Sequence, residues 1–403
     1  MKKRRFFTDN WLTVFTAGII FFIGIMTVIC NHQNLVSDLS DSFNSAKAGV
    51  RESGLNGIKT GIDMLDRRFN ENLFGNRFSV EVLGLFNRMM NKKIIADSEE
   101  NYKIYKMNNH QLTYNYTGYD TTDYAENYLK FAAALRRSDI PLLYIQAPFK
   151  IDKYNNELPY GVMDETNPLA DHFLEIISCE CDTLDLRELI HQEGFEYSSL
   201  FYKTDHHWTA ETGLWASAVI ADELQKRYDT ELDTSHLSRE NYIFETYENY
   251  MLGSQGKRTG MVYAGLDDFV LIEPGYETEY HIQIPRIKLD REGCYSETLL
   301  FMEYMGQDYY RDDPGRVYTG DNYALMIIRN HLSVNDSKVL LVKDSYSKSV
   351  IPFFASTCKE LHVIDLRVFK DSVAEYAKEN GMECVVVMYN PSAVVRPELF
   401  DFK

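Results

Sequence analysis

The residues best suited to chemistry stand in one short stretch, residues 201–216, with the sequence FYKTDHHWTAETGLWA. It holds an aspartate and two histidines in succession, Asp205, His206 and His207, and helical spacing begins soon after them. If Thr209 caps that helix, the three residues lie on the loop just before its N-terminus. Residues i and i+2 of an extended chain point the same way, so Asp205 is placed to orient one ring nitrogen of His207 and leave the other to act as a base.

A base of this kind needs a nucleophile, and Ser345 is the best candidate. The apolar run at residues 339–342 predicts a buried strand, which ends at Asp344 and Ser345 and is followed by a helical pattern. Catalytic residues of parallel α/β sheets lie at the carboxyl ends of strands, as Ser345 would. The alternative is that Ser345 and Asp344 are ordinary N-caps of the following helix.

The elements that must position these residues alternate between buried strand and helix. Strands are predicted at residues 141–147, 183–189, 337–343, 361–365 and 382–389, and helices at 124–137, 172–178, 210–228, 346–357 and 372–380. This order predicts an α/β fold with a parallel sheet flanked by helices. Between about 230 and 330 short alternating runs predict a mainly β insertion within a domain that spans residues 60–403.

The N-terminal region differs in kind from the rest. Four basic residues at positions 2–5 precede an uncharged stretch at 11–30, which is long enough to cross a bilayer as a helix. We therefore expect a cytoplasmic tail at 1–10, a single transmembrane anchor at 11–30, a polar stalk at 31–59 and an extracytoplasmic domain at the cell membrane. A cleaved signal peptide is the alternative, but no small-residue cleavage site follows the apolar run.

Charge and cysteine content exclude several function classes. The net charge of −18 argues against nucleic acid as a partner, because a phosphate backbone is bound through clustered Lys and Arg. The spacing of the six cysteines fits no zinc site, and Cys179 with Cys181 forms only an isolated CxC pair. We expect no metal and no cofactor.

With these motifs in view, the sequence resembles a known family. DHHW at 205–208, followed by TxxxG and by KDSYxxS at 343–349, is similar to the DHHW proteins related to the alginate O-acetylation proteins of the SGNH hydrolase superfamily. The resemblance runs from about Arg67 to the end of the chain. It implies an SGNH hydrolase-like domain in which Asp205 is the acid, His207 the base and Ser345 the nucleophile.

The resemblance also implies a function and partners. The expected activity is O-acetyl transfer to a cell-surface or exported polysaccharide, with a multi-spanning membrane acyltransferase as the source of the acyl group. An acetyl esterase with the same triad and a non-catalytic glycan-binding scaffold are the alternatives. The family motif has glycine where this chain has Lys343, whose side chain would either crowd an oxyanion site or add a positive charge to it. The Ser345 N–H is the expected first oxyanion donor, with Asn390 and Arg258 as further candidates for oxyanion or substrate contacts.

Three further residues, His206, Trp208 and Lys150, are interpreted without a catalytic role. The ring of His206 is expected to face away from His207 as a packing or hydrogen-bonding group, because successive side chains of an extended chain alternate in direction. Trp208 is expected to be a core residue rather than a sugar platform. Lys150, which follows a predicted buried strand, is expected to be exposed.

Overall fold

A computed structural model of the chain describes residues 15–29, 31–32, 75–97 and 102–403, with the single residues 36, 40, 43 and 73. Residues 15–29 are helical. Among all the residues just named, no helix combines the length and the apolar character that a membrane span requires. The predicted tail at 1–10 lies outside the described residues, as do most of the predicted stalk and both ends of the predicted anchor.

The chain divides into two compact units, Met1–Phe86 and Asn87–Lys403. The amphipathic helix α1 (Asn76–Met89) crosses the boundary. The second unit contains the whole α/β domain described below.

The domain is built on an eight-stranded sheet. Its strands, in spatial order, are β5 (Asp182–Asp185), β4 (Leu142–Gln146), β13 (Cys384–Tyr389), β11 (Lys338–Lys343), β12 (Glu360–Ile364), β10 (Leu325–Asn330), β8 (Tyr280–Ile284) and β9 (Leu289–Gly293). The first five are mutually parallel, with Val339 of β11 opposite both Cys384 and Leu361. The last three are antiparallel.

The α/β class is as predicted, but the sheet is mixed rather than parallel. The predicted insertion explains the difference, because its strands β8 and β9, with the following β10, extend the sheet beyond β12. β10 alternates between half-buried and buried residues, the pattern of a strand that can lie in the antiparallel part of a sheet. The rest of the insertion includes a separate hairpin, β6 (Tyr242–Met251) and β7 (Asp267–Pro274). Residues 261–264, which lie in the region predicted to be mainly β and contribute one of its short apolar runs, form a helical turn.

Helices cover both faces of the sheet. In the described residues of this domain, the other helices of at least six residues are α2 (Thr122–Arg136), α3 (Thr166–Ile177), α4 (Leu186–Glu193), α5 (Ala210–Tyr228), α6 (Ser254–Thr259) and α7 (Val373–Glu379). Val339 and Leu341 of β11 pack into the core on the α5 side, whereas Leu340 and Val342 pack with α2, α3 and α7. Burial on both faces explains why β11 reads as a continuous apolar run.

A small antiparallel sheet of three strands lies apart from the main one. It consists of β1 (Ile94–Ala96), β2 (Lys103–Lys106) and β3 (Leu112–Thr113). Its aromatic residues and those that follow it pack in a third core cluster with Phe149 and Tyr263.

Candidate active site

The loop before α5 is closed at its base. Phe201 and Trp208 form an isolated antiparallel bridge, and Thr209 N–H donates to the Leu200 carbonyl at 2.9 Å. Thr209 caps α5, since its Oγ1 accepts from the Thr212 N–H at 3.3 Å. The loop therefore holds residues 205–207 immediately before a helix N-terminus, as the sequence predicts.

His207 lies between an acid and a hydroxyl. Its Nδ1 is 2.6 Å from Asp205 Oδ1, and its Nε2 is 2.8 Å from Ser345 Oγ. Because the carboxylate can only accept, Nδ1 carries the proton, and in the neutral ring Nε2 then accepts from the Ser345 hydroxyl. Both distances fall within the range that proton transfer requires.

Asp205 is held by a set of donors. Its Oδ1 also accepts from the His207 N–H at 3.0 Å, and its Oδ2 accepts from the Ser254 N–H at 2.7 Å. Burial alone would raise the pKa of Asp205, but the neighbouring histidines and the Ser254 N–H hold that pKa well below its ordinary value. Asp205 is therefore an anion at neutral pH, as a carboxylate that orients His207 must be.

Ser345 stands at the carboxyl end of β11. Asp344 is the N-cap of the short 3-10 helix Ser345–Ser349, because its Oδ1 accepts from the Tyr346 N–H at 2.9 Å. The other oxygen, Oδ2, accepts from the backbone N–H of Asn390 at 2.7 Å and from its side-chain amide at 2.5 Å. The capping role thus belongs to Asp344 and leaves Ser345 Oγ facing His207.

Asn390, at the end of β13, is brought to the same edge of the sheet. Its backbone and side chain bind Asp344, and it lines a cleft of about 640 Å³ together with Ser345 and Arg258. Arg258 donates to Asp97 Oδ2 at 2.8 Å and also to the Tyr114 hydroxyl. The structure therefore brings two of the three predicted accessory residues to the cleft that contains Ser345.

Lys343 is not one of them. Its side chain is 3% exposed, and its ammonium lies 3.4 Å from Asp365 Oδ2 and 2.5 Å from Asn322 Oδ1. Lys343 lines neither this cleft nor a second cleft beside Ser345, which His207 and Tyr346 line. Burial lowers its pKa to about 8, although Asp365 opposes this shift. The expected effect on the oxyanion site is not seen because the side chain turns toward the end of β12.

The position of His206 also differs from the expectation. Its ring lies 3.8 Å, centroid to centroid, from that of His207, its Nδ1 is 3.2 Å from Ser254 Oγ, and it lines both clefts beside Ser345. The chain bends at residues 203–207, so the alternation of an extended strand does not apply. Burial and the adjacent His207 lower the pKa of His206 to about 3, so this ring stays neutral beside His207 at neutral pH.

Trp208 is a core residue, as expected. It is 2% exposed, and its Nε1 donates to the Tyr346 carbonyl at 2.8 Å. The Tyr346 hydroxyl in turn donates to the His206 carbonyl. These two bonds fix the loop that carries the histidines to the residue that follows Ser345.

Lys150 is buried, contrary to the expectation of exposure. It is 2% exposed, and its ammonium donates to the carbonyl of Leu112 at 2.7 Å and to that of Asp205. Burial lowers the pKa of Lys150 to about 8, against the opposing effect of Asp267 and Asp205. The segment after β4 therefore folds under the Asp205 loop and supports it.

Asp205, His206 and His207 each offer one metal-ligand atom, and these atoms lie within 4.8 Å of one another. The hydrogen bond from His207 Nδ1 already occupies Asp205 Oδ1. The arrangement suits proton transfer through His207 to Ser345.

An α/β sheet with Asp, His and Ser close together is the arrangement that an SGNH hydrolase-like domain would have. Residues 110–253 match the family described as "SGNH hydrolase-like domain, acetyltransferase AlgX". The resemblance stated from the DHHW and KDSYxxS motifs is therefore confirmed.

Solved structures show the same fold. The structure of PatB1 from Bacillus cereus is similar with a TM-score of 0.61 and 16% identity over 77% of this chain and 99% of that one. A DHHW family protein from Eubacterium siraeum is similar with a TM-score of 0.58 and 16% identity over 75% and 94% of the two chains. No curated protein sequence matches the chain.

Proposed function

We propose that this protein is a serine-dependent O-acyltransferase that moves an acetyl group onto a hydroxyl of a cell-surface or exported polysaccharide. The observation that carries the proposal is the pair of contacts of His207, with Nδ1 on Asp205 and Nε2 on Ser345 Oγ. The match to the SGNH hydrolase-like domain of an acetyltransferase family supports the transfer chemistry.

In the first half-reaction Ser345 Oγ attacks the acyl carbonyl of the donor. His207 Nε2 takes the hydroxyl proton, the carbonyl π electrons move to the oxygen, and their return expels the donor's leaving group, which receives the proton from His207. The product is an acyl-Ser345 ester. Asp205 stabilises the imidazolium that exists between the two proton transfers.

In the second half-reaction a sugar hydroxyl attacks the acyl-Ser345 carbonyl. His207 takes the proton of that hydroxyl and returns it to Ser345 Oγ as the ester bond to the serine breaks. The sugar leaves as its O-acetyl ester, and the enzyme is restored.

The oxyanion formed in both steps needs donors. Among the described residues, none accepts a hydrogen bond from the Ser345 N–H, whereas the neighbouring Tyr346 N–H is used by Asp344. Asn390 Nδ2 uses one N–H on Asp344, which leaves its second N–H for an oxygen in the cleft. We assign these two groups as the oxyanion donors.

The test is labelling and transfer with the purified full-length chain. A sulfonyl fluoride is a suitable probe, because a structure of PatB1 holds a sulfonyl adduct. We expect one adduct per chain, on Ser345, with none in Ser345→Ala, and loss of acetyl transfer in the same variant. The variant should keep its unfolding temperature, because the cap of the helix is Asp344. Unchanged turnover by Ser345→Ala would rule out Ser345 as the nucleophile. An unlabelled Ser345 together with no acetyl transfer by the unchanged chain would leave the scaffold as the surviving function.

The esterase is the second candidate, because water could replace the sugar in the second half-reaction. The ratio of acetylated glycan to free acetate, measured with a saturating glycan acceptor, distinguishes the two. Excess acetylated glycan supports transfer, and free acetate alone assigns an esterase.

We further propose that residues 11–30 anchor the protein in the cell membrane with the domain outside, where a multi-spanning acyltransferase supplies the acyl group. The basic residues before the apolar run support this topology. Protease added to intact cells with a permeabilised wall should remove the domain and leave the anchor. A domain protected until the membrane is lysed would contradict it.

A further inference from the structure

Helix α1 carries an apolar face that is open to solvent in the described part of the chain. Its large apolar residues recur at positions i, i+4, i+7, i+8 and i+11, a spacing that places them on one side of an α-helix. They are Phe78, Val82, Leu85, Phe86 and Met89. All but Val82 are between 46% and 73% exposed. A contiguous face of this kind, unlike single exposed side chains, marks an interaction surface.

The end of α1 is fastened to the domain by other residues. Asn87 is 3% exposed, and Nη1 of Arg88 donates to the Val262 carbonyl at 3.0 Å. The Tyr263 hydroxyl donates to the Lys92 carbonyl at 2.6 Å. These contacts use none of the five residues of the apolar face, so the face is available to a partner.

Basic residues adjoin the C-terminal end of the apolar face. Arg88 lies in the last turn of α1, and Lys92 and Lys93 follow the helix. The helix itself contains one acid, Glu81. Three basic residues within positions 88–93 are a local departure from the net charge of −18 that the whole chain carries. A basic amphipathic helix is the pattern of a segment that lies on a membrane surface.

The length and composition of α1 favour lipid over protein as the occupant of the face. Its 14 residues extend about 21 Å, which is too short to cross a hydrocarbon core of about 30 Å but suits a helix that lies in the interface. The five residues of the apolar face carry only hydrocarbon and thioether groups, and none is the tyrosine, tryptophan or arginine that typically anchors a protein interface. An anionic headgroup layer also neutralises Arg88, Lys92 and Lys93, whereas a second copy of the same segment would add more cations.

We infer that α1 docks along the surface of a lipid bilayer that carries anionic headgroups. The apolar face enters the outer part of the acyl chains, and Arg88, Lys92 and Lys93 lie at the level of the headgroups. This contact goes beyond the proposed acyl transfer and is separate from the apolar run at 11–30. Because α1 leads directly into strand β1, docking ties the start of the α/β domain to the membrane surface.

Photo-crosslinking identifies what lies on the apolar face. In the full-length chain, Phe86 is replaced by p-benzoylphenylalanine, and the protein is reconstituted into vesicles of phosphatidylcholine mixed with phosphatidylglycerol. The same replacement at Phe195, which is 41% exposed on the loop after α4, is the control. We expect irradiation to give a phospholipid adduct at position 86 in about tenfold or greater yield than at position 195, because only a residue among the acyl chains contacts lipid C–H bonds.

Three results would overturn the inference. The first is an adduct at position 86 with another segment of this chain or with a second copy. The second is no adduct at position 86, which would show that the face stays in water. The third is an equal lipid yield at positions 86 and 195, which would show contact that is not specific to α1.

Matched variants test the apolar face. In the chain that carries the photo-crosslinker at position 86, Met89→Glu should lower the lipid yield about tenfold or more, because a carboxylate does not enter acyl chains without a large desolvation cost. Met163→Glu is the control, since Met163 is 74% exposed elsewhere in the domain and Met89 is 73% exposed. Both variants should keep their unfolding temperature. An unchanged yield in Met89→Glu, or an equal loss in Met163→Glu, contradicts docking through this face.

The basic residues are tested by the composition of the vesicles. Lys92→Gln combined with Lys93→Gln should lower the lipid yield on the mixed vesicles but not on phosphatidylcholine alone, and added salt should reduce the difference between the two compositions. An equal loss on both kinds of vesicle would overturn the assignment of these lysines to anionic headgroups.

Discussion

Gly253 lies so close to Asp205 that a Cβ at position 253 would sit 2.3 Å from the Cβ of Asp205 and 2.6 Å from its Cα. The next residue, Ser254, donates its N–H to the carboxylate of the same aspartate. The segment at the start of α6 therefore presses directly against the backbone of the acid.

We predict that Gly253→Ala displaces Asp205 and lowers kcat by about 10²-fold or more, since a shift of about 1 Å in a catalytic group has that effect. Gly275→Ala is the control, because its Cβ would come no nearer than 3.2 Å to another atom. The kcat for acetyl transfer and the unfolding temperature are measured for both variants, so that a loss of activity can be distinguished from a loss of folding. Full activity in a folded Gly253→Ala protein would show that the contact does not set the position of the acid.

Asp205→Asn should lower kcat by about 10³ to 10⁴-fold while Ser345 remains in place. The amide can donate to Nδ1 as well as accept from it, so His207 loses the constraint on its tautomer, and the imidazolium loses its counter-charge. Steady-state acetyl transfer measures the loss. A decrease of less than about tenfold would assign Asp205 a structural role.

His206 should make the protein less stable in acid. In the folded state the pKa of His206 is about 3, against its ordinary value of 6.5, so between these two pH values the unfolded chain takes up a proton that the folded one does not. The contribution of His206 to the free energy of unfolding is therefore fully present above pH 6.5 and decreases as the pH falls from 6.5 toward 3. Asp205, whose pKa is also lowered, loses its contribution only below its ordinary value of 3.8.

The measurement is the urea midpoint between about pH 4.5 and 7, where His206 is separated from Asp205. The decline on acidification should be smaller in His206→Gln than in the unchanged protein. His331→Gln, which removes an exposed histidine, should keep the original decline. If the urea midpoint of His206→Gln fell with pH as steeply as that of the unchanged protein, His206 would not be the source of the acid sensitivity.

The sequence predicts the centre of the site better than its surroundings. The DHHW motif and the buried run before Ser345 are local patterns, and the parallel strands bring their ends to one edge without further information. Gly253 and Ser254 could not be assigned, because they lie 48 and 49 residues beyond Asp205 and contact it only through the fold of the β6–β7 region.

Charge was the least predictable property. Lys150 is expected from the sequence to be exposed, and Lys343 is expected to act at the oxyanion site, yet both ammonium groups are buried against other partners. Burial of an ammonium is rare without a partner, and these partners are contributed by distant segments. Likewise, the alternation within β8 and β10 indicates strands but does not say that they join the main sheet at its β12 edge. Pairing partners depend on the tertiary arrangement rather than on the period of a single strand.

Lys343→Met should lower the free energy of unfolding by about 3 kcal/mol, because removal of one partner leaves the buried Asp365 with a single cation. Lys338→Met, on the same strand, is the control. The Lys338 side chain is 40% exposed and its ammonium lies 3.6 Å from Glu360 Oε2, and a surface pair of this kind contributes about 0 to 1 kcal/mol. Urea denaturation measures both, and equal effects would contradict the importance of the buried pair.

Lys150→Met should lower kcat through Asp205. The lysine donates to the backbone carbonyls of Asp205 and Leu112, and its loss leaves two acceptors unpaired at a cost of about 1 to 3 kcal/mol each. The loop that carries the acid then loses the bond that fixes it from below. Lys153→Met is the control, because its ammonium binds Asp171 and Glu188 and does not contact this loop.

A double-mutant cycle separates this role from general destabilisation. If Lys150 acts by positioning Asp205, Lys150→Met should reduce kcat much less in an Asp205→Asn background than in the unchanged protein. The unfolding temperature of each variant is measured in parallel, so that rates are compared only on folded protein. An equal fold-reduction of kcat in the two backgrounds would show that Lys150 supports the domain without positioning the acid.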